Sequence, residues 1–206
     1  MGGISGRQIL GYSLGMVERK SPAGTSAGAN GRCIVNNPKL PEPWLRGTLA
    51  EVDPVQRAVL HALELTKEDV EKWCGDLSDE ELNARPGELA PVAFHLRHIA
   101  RSTDRLLTYA ENKSLSPEQI AAMKQELDPG ATRGALFAEF SSGLQSAVER
   151  IRAFPQERLS EPRMVGRQQM PTTLAGLVVH VGDHAQRHAG QATTTAKIVK
   201  SRRTAA

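Results

Sequence analysis

Three histidines recur at intervals of four residues near the C-terminal end of the chain, at His180, His184 and His188. Side chains four residues apart lie on one face of a helix, so either adjacent pair could direct two imidazole rings at one divalent metal ion. At about 100° per residue, His188 lies about 40° from the centre of the apolar stripe, His184 about 80° and His180 about 120°. We therefore expect His184 and His188 to form the inward-facing pair.

This HxxxH pattern differs from the zinc-protease motif HExxH, because Ala185 stands where that motif requires a glutamate. Two imidazoles also leave the coordination of a metal incomplete, and a third ligand should come from a facing helix. The simpler alternative is that both histidines are polar residues at the edge of an amphipathic helix. The pair alone does not decide between these interpretations.

Two further histidines, His95 and His98, lie in the short segment from Phe94 to Ala100 and are the candidates for the third ligand. In a helical projection, His95 lies nearer the centre of the apolar face and His98 nearer its edge, and a pocket could open at either position. Either residue by itself could be an ordinary buried histidine. Their occurrence together, opposite a second histidine pair, favours a metal site.

The elements that would position these side chains are amphipathic helices. Apolar residues recur in steps of three and four in four segments, from Asp53 to about Gly75, from about Pro91 to Tyr109, through Phe137 to Ile151, and from Thr172 or Thr173 to about Lys200. No segment alternates between apolar and polar residues for long enough to predict a sheet. We therefore expect an all-α fold, a single four-helix bundle.

Local signals mark several of the helix starts. Asp53 followed by Pro54 predicts a capped start for the first long helix. Ser78 with Glu81 predicts a capping box for a short helical turn, and a further turn is expected within residues 118–127. The connections between the long helices therefore contain short helical pieces of their own.

Residues 1–46 differ from the rest of the chain in composition. Glycine, serine, asparagine and proline are frequent there and no apolar period persists, so we expect a disordered extension, followed by the helical domain at 47–200 and a basic tip at 201–206. Residues 1–47 hold six Lys or Arg and two Asp or Glu, a balance of +4, which leaves −1 for residues 48–206. The predicted folded part is therefore not basic, and we expect no nucleic-acid partner.

Cysteine content and hydropathy bear on the compartment. Cys33 and Cys74 are the only cysteines, which gives little support to a disulfide framework or a thiolate zinc site. No stretch approaches the roughly 18 consecutive apolar residues of a membrane span. The weakly apolar segment from Ile9 to Val17 is followed at once by charged residues and lacks a convincing cleavage site. We therefore expect a cytoplasmic protein with no membrane partner.

The two histidine segments resemble parts of a known family. The segment from Phe94 to Ala100, followed by Ser102 and the sequence Asp-Arg-Leu-Leu at 104–107, resembles the metal-ligand helix of the DinB/YfiT-like family. The sequence His-Ala-Gln-Arg-His-Ala-Gly-Gln at 184–191 resembles the HxxxHxGQ signature near the C-terminus of that family. The resemblance covers about residues 47–200, which is nearly everything outside the predicted extension.

The resemblance implies a metal triad of His98, His184 and His188. His98 is preferred to His95 because the ligand in the family is typically followed by an apolar pair, which Ile99 and Ala100 match. The implied ion is a single divalent metal, zinc, nickel or manganese, since imidazole nitrogen binds several first-row metals.

The signature departs from the family at one position. Many members have an arginine directly after the last ligand, where this chain has Ala189. The departure removes a polar contact near the site but no ligand. We expect Gly190 to allow close helix packing and Gln191 to donate a hydrogen bond that supports a metal ligand.

The family also implies a class of activity. Its members include thiol S-transferases that use bacillithiol or mycothiol and a thiol-dependent isomerase. The resemblance thus implies a metal-dependent enzyme, a hydrolase or thiol S-transferase, which activates a water or a low-molecular-weight thiol for attack on a small electrophile. The alternative is a non-catalytic, stress-related bundle that binds metal or forms a homodimer. An open coordination position would favour the enzyme.

The sequence assigns no catalytic base. Asp183 is next to the histidine pair but should point away from it at about 100° per residue. Asp104 could equally be a surface ion-pair residue, and Tyr109 could face a pocket or be a buried structural tyrosine. His61, isolated on the first helix, is expected to be structural.

Overall fold

The computed structural model describes residues 40–204 of the chain, and these residues are mostly helical. They form six α-helices, two strands and four short 3-10 turns. The helices are α1 (Pro54–Cys74), α2 (Asp79–Asn83), α3 (Val92–Ala110), α4 (Pro117–Lys124), α5 (Arg133–Ala153) and α6 (Leu174–Ser201), and the strands are β1 (Pro162–Val165) and β2 (Met170–Thr173).

The predicted helix starts are confirmed by the caps. The Asp53 side chain accepts hydrogen bonds from the backbone N–H groups of Val55 and Gln56, at 2.9 and 3.4 Å, so that α1 begins at a satisfied N-terminus. Ser78 and Glu81 form the predicted capping box at the start of α2. The sequence therefore places these helix ends to within a residue or two, because the capping interactions are local.

Four of the helices, α1, α3, α5 and α6, are 19 to 28 residues long and share one hydrophobic core. Helix α6 packs against both α1 and α3, and α5 packs mainly against α3. The apolar stripes predicted for these segments face that core. Its fully buried side chains include Leu63, Val70, Leu96, Ile99, Phe140, Ile151, Leu174 and Val178.

Two glycines permit close contact between helices. A Cβ atom on Gly143 of α5 would lie 2.7 Å from the Cβ of Ala100 on α3, a distance that real Cβ atoms do not reach. A Cβ atom on Gly182 of α6 would lie 3.4 Å from the side chains of Ala62 and Val59 on α1. The close approach of α5 to α3 therefore depends on the absence of a side chain at Gly143, whereas a Cβ atom on Gly182 would lie at an ordinary contact distance from α1.

The expectation that no sheet would form is wrong. Strands β1 and β2 make a two-stranded antiparallel hairpin between α5 and α6, with Arg163 paired to Thr172 and Met164 to Pro171. Each strand has only four residues, too few for a period of two to stand out in the sequence. The buried Arg163 side chain anchors the hairpin, because its Nε donates to the carbonyl oxygen of Ala110 at 2.6 Å.

Part of the predicted extension contacts the helical domain. Pro43 is buried, and Arg46 donates to both Glu64 and Glu68 of α1 at 2.6 to 2.8 Å. The packed region therefore begins upstream of Gly47. Composition does not reveal this, because the guanidinium group of Arg46 binds two carboxylates that lie 18 and 22 residues away in the sequence. The rest of the predicted extension, residues 1–39, and its Cys33 lie outside the described residues, as do residues 205 and 206 of the predicted basic tip.

Two other expectations concern α1 and its end. Cys74 has a free, buried thiol, and burial raises its pKa to about 12, so it is not a reactive thiolate. His61 is buried, and its Nε2 lies 3.0 Å from the hydroxyl of Thr48, in keeping with a structural role. Within residues 40–204, no helix combines the length and apolar character needed to cross a membrane.

Candidate metal centre

Helices α3 and α6 pack side by side and bring three histidines together. One nitrogen of each of His98, His184 and His188 lies within 4.8 Å of the others, close enough for the three to hold a metal ion. The Nε2 atoms of His98 and His184 are 2.9 Å apart, and the ring centroids of His98 and His188 are 4.3 Å apart. The predicted convergence of these side chains is therefore found, at the half-buried edge of the α3–α6 interface.

A buried carboxylate orients the ring of His98. Glu126, which lies between α4 and α5 and is 6% exposed, accepts a hydrogen bond from Nδ1 of His98 at 2.6 Å. Its second oxygen accepts from Nη1 of Arg105 at 2.7 Å. Because the proton is held on Nδ1, the lone pair of Nε2 is free and faces His184.

The charge of Glu126 is stabilised despite its burial. Burial acts to raise its pKa, but the hydrogen bonds from His98 and Arg105 outweigh that effect and the pKa lies below its usual value. The carboxylate is thus ionised at neutral pH. No sequence motif pointed to Glu126, which lies 28 positions from His98 in the connection between α4 and α5.

His95 takes a different place from the three converging histidines. It is 5% exposed, and its Nδ1 lies 3.1 Å from Nδ1 of His188. It is not a member of the group whose nitrogens converge. His95 therefore contacts one side of His188, whereas His98 faces His184 and is held in place by Glu126.

The electrostatics of the cluster favour neutral imidazoles. Burial is the largest cause that lowers the pKa of His184 and of His188 to about 4, and repulsion from the neighbouring histidines adds to it. Burial likewise lowers the pKa of His95 to about 4. Neutral imidazole is the form that binds a metal, so the site needs no proton loss at neutral pH to accept one.

Comparison with known proteins places the segment that holds these histidines in a known family. A family profile described as the DinB superfamily matches residues 62–192, which include all three converging histidines. This chain belongs to the DinB superfamily. The crystal structure of a conserved protein from Enterococcus faecalis is similar in fold, with a TM-score of 0.60 and 18% sequence identity over 73% of this chain and 99% of that chain. None of the curated proteins compared with the sequence matches it.

Three other polar residues of this DinB-superfamily chain, His180, Asp183 and Asp104, are not among the converging metal-ligand candidates. His180 is about half exposed and lies 3.9 Å from Asp183, which also pairs with Arg187 at 2.8 Å. Asp104 pairs with Arg150 at 2.7 Å. These contacts confirm that Asp183 points away from the metal ligand candidates and that Asp104 is an ion-pair residue.

The two terminal residues of the DinB signature do not have the contacts expected of them. A Cβ atom on Gly190 would meet nothing within 4 Å, so the expected close packing at this glycine is wrong. The Gln191 side chain is exposed and has no hydrogen-bond partner among the residues that the structure describes. Ala189 is 1% exposed and packs in the core, where a longer arginine would not fit without displacement.

A cavity opens beside the histidine cluster of this DinB domain. It has a volume of about 370 Å³ and is lined by His95, Arg187 and Gln191, together with threonines of α6 and the loop before α3. None of the three converging histidines lines it, but His95, which does, contacts His188 at 3.1 Å. The cavity offers a small molecule a positively charged side chain, an amide and an imidazole.

Proposed function

We propose that His98, His184 and His188 bind one divalent ion, zinc, nickel or manganese, as a three-imidazole metal centre. The donor set fits such an ion, because all three rings converge and two of them are neutral at neutral pH. Nitrogens about 2.0–2.1 Å from one ion stand about 3 Å apart, close to the 2.9 Å between the Nε2 atoms of His98 and His184. The hydrogen bond from His98 to Glu126 further supports Nε2 as the ligand atom.

We propose in addition that α1, α3, α5 and α6 form a four-helix bundle of the DinB/YfiT-like type. Their shared core and the packing of α6 on both α1 and α3 support this arrangement. The metal ligands would then come from two neighbouring helices of the bundle, as is common for sites built between packed helices.

The function that the geometry supports best is activation of a water or a low-molecular-weight thiol for attack on a small electrophile. The single observation that carries this proposal is the number of ligands: within residues 40–204, no fourth side chain joins the three histidines. A three-histidine site keeps a coordination position open, and an ion there would lower the pKa of the water or thiol that occupies it. A structural metal site would be closed by a fourth protein ligand.

The side chains around the centre have distinct parts in this proposal. Glu126 and Arg105 hold His98, and His95 holds the ring of His188 from the other side. The cavity beside His95 would receive the small molecule, with Arg187 near its mouth to attract an anionic group. His95 is neutral and could accept a proton there, so its loss should affect turnover more than metal content.

A paired metal and activity measurement tests the proposal. The full chain, loaded separately with zinc, nickel or manganese, is incubated with small thiols and a fluorogenic alkylating reagent, and thioether formation is followed. We expect faster thiol consumption with the loaded chain than with the metal-free chain, and background rates for His184→Ala.

The matched control is His180→Ala, which removes a half-exposed histidine from α6 four residues before His184. It should retain both metal and rate. Metal bound at one equivalent with no rate above background for any thiol or for a hydrolysable ester would favour the non-catalytic metal-binding bundle instead.

A further inference from the structure

A second, larger cavity lies at the C-terminal end of α3, away from the histidines. Its volume is about 720 Å³, and it is bounded by Tyr109, the segment that follows α3, helix α4 and the turn of the β-hairpin. Tyr109 is eleven residues beyond His98 on the same helix, which corresponds to roughly 16 Å at 1.5 Å per residue. No histidine lines this cavity, so it is distinct from the proposed metal centre.

The walls of this cavity are held in place by specific backbone contacts. On the hairpin side, Arg163 is 5% exposed and donates to the carbonyl of Ala110, so that the alternation along β1 turns Met164 outward to the cavity. Asn112 and Gln169 line opposite sides, and both have left-handed backbone angles, with φ of 60° and 49°. At Asn112 the angle ends α3, where the N–H of Lys113 donates to the carbonyl oxygen of Thr108 at 3.0 Å, and at Gln169 it closes the hairpin turn, where the N–H of Gln169 donates to the carbonyl oxygen of Gly166 at 3.2 Å.

The charged side chains that line the cavity are all positive. Lys113, Lys124 and Arg167 line the cavity, and no aspartate or glutamate does. Lys113 pairs with Glu111 at 2.9 Å, whereas Lys124 and Arg167 have no ion pair among the residues that the structure describes. This contrasts with the formal charge of −1 over residues 48–206. Two uncompensated cations thus face one concave surface.

The remainder of the lining is apolar and adaptable. Met123 and Met164 are 43% and 45% exposed, although both are large hydrophobic side chains. Tyr109, Leu115 and Ile120 are half-buried beside them. Methionine adapts its shape to varied ligands, and exposed apolar side chains that line a concavity are more typical of a binding site than of free surface.

We propose that this cavity binds a small amphipathic organic anion. Its apolar body would lie against Tyr109 and the two methionines, and its carboxylate, sulfonate or phosphate group would lie between Lys124 and Arg167. Ligand cavities of about 300–1,000 Å³ enclose molecules of this size. The concave shape favours a small molecule over an extended polymer, and the two cations without ion-pair partners select for the anion.

Two fluorescent probes that share the same rings test the proposal with the full chain. Anilinonaphthalene sulfonate has the anionic group, and N-phenylnaphthylamine lacks it. We expect saturable binding of the sulfonate at one site per chain, with affinity at least about tenfold higher than for the neutral probe. Octanoate should displace the sulfonate probe and octanol should not.

The charge-reversed double variant Lys124→Glu with Arg167→Glu should bind the sulfonate at least about tenfold more weakly and bind the neutral probe as before. The control Lys67→Glu with Arg202→Glu makes the same change in net charge at exposed positions outside the cavity and should leave both affinities unchanged. Ser114→Trp, which fills the cavity, should weaken binding of both probes.

Each contrary result overturns the proposal. No saturable binding of the sulfonate, equal affinity for the two probes, or equal weakening by the cavity pair and the control pair would each exclude a specific anion site. His184→Ala should bind the sulfonate like the unaltered chain, so that failure of the metal proposal leaves this test intact. Circular dichroism of every variant verifies that the helices are retained.

Discussion

Nδ1 of His98 lies 2.6 Å from Oε2 of Glu126, and the other oxygen of this carboxylate lies 2.7 Å from Nη1 of Arg105. The contact joins helix α3 to the connection between α4 and α5. It fixes which nitrogen of His98 carries the proton, and therefore which nitrogen is free to face His184. The distinction between His98 and His95, which the helical projection left open, thus has a physical basis in a residue outside both histidine segments.

Replacement of this carboxylate should weaken the metal centre without removing a ligand. For Glu126→Gln we expect metal affinity to fall about ten- to a hundredfold, because an amide no longer accepts a charge-assisted hydrogen bond from His98. Competition with a chromophoric chelator measures the change. Glu139→Gln is the matched control. Glu139, on α5, accepts a hydrogen bond from Arg101, which lies on α3 like His98, but Glu139 contacts none of the histidines. Equal affinities for the two variants would contradict the orienting role.

The two histidines of α3 should differ in their effect on metal content. His98→Ala should lose nearly all bound metal, as should His184→Ala and His188→Ala, because each removes a proposed ligand. His95→Ala should keep most of the metal, since His95 only contacts His188. Metal analysis after gel filtration gives the ratio of ion to chain. The reverse ranking of His95 and His98 would assign the third ligand to His95.

The metal-free chain should lose stability as the pH falls from about 6.5 to about 4. Burial holds the pKa of His95, His184 and His188 at about 4 in the folded chain, below the ordinary 6.5. Over this window the unfolded chain binds more protons than the folded chain, so acid favours unfolding. Urea titrations at several pH values, with chelator present, measure the free energy of unfolding.

The comparison variant for this pH dependence is His184→Ala with His188→Ala, which should flatten the decline between pH 6.5 and 4. His180→Ala should leave most of the decline in place, because His180 is half exposed and repels His184 less than His188 and His98 do. A decline of the same steepness in both variants would show that other groups cause it.

Two glycines should respond to alanine in opposite directions. Gly143→Ala should lower the free energy of unfolding by about 1–3 kcal/mol, because the new Cβ would lie 2.7 Å from that of Ala100. Gly190→Ala should raise it by about 1 kcal/mol, since its Cβ meets open space and alanine favours a helix. Denaturant titration of the metal-free chains measures both. Destabilisation by Gly190→Ala would mean that this glycine has a packing role after all.

The start of the packed region can be located by truncation. A chain beginning at residue 40 should match the melting temperature and metal content of the full chain. A chain beginning at residue 47 should melt at a lower temperature, because it loses the contacts of Arg46 with Glu64 and Glu68. Arg46→Ala in the full chain should reproduce that loss. Identical melting of all four proteins would restore the boundary predicted from composition.

The sequence alone determined the parts of this protein that depend on local periodicity. Four-residue spacing placed His184 and His188 on one face of α6, and the caps at Asp53 and Ser78 marked helix starts. The family signature added His98 as their partner. These features could be predicted because a helix has a fixed rise and rotation per residue, so positions a few residues apart have a known relation in space.

Only the tertiary structure decided which residues far apart in the sequence contact one another. Glu126 contacts His98 from 28 positions further along the chain, and the hairpin that forms a wall of the larger cavity is too short to leave a pattern in the sequence. The contact of Gly143 with Ala100 likewise depends on where α5 crosses α3. Such relations are set by how side chains fill the space between helices, and packing of that kind depends on all the partners at once rather than on the spacing within any one segment.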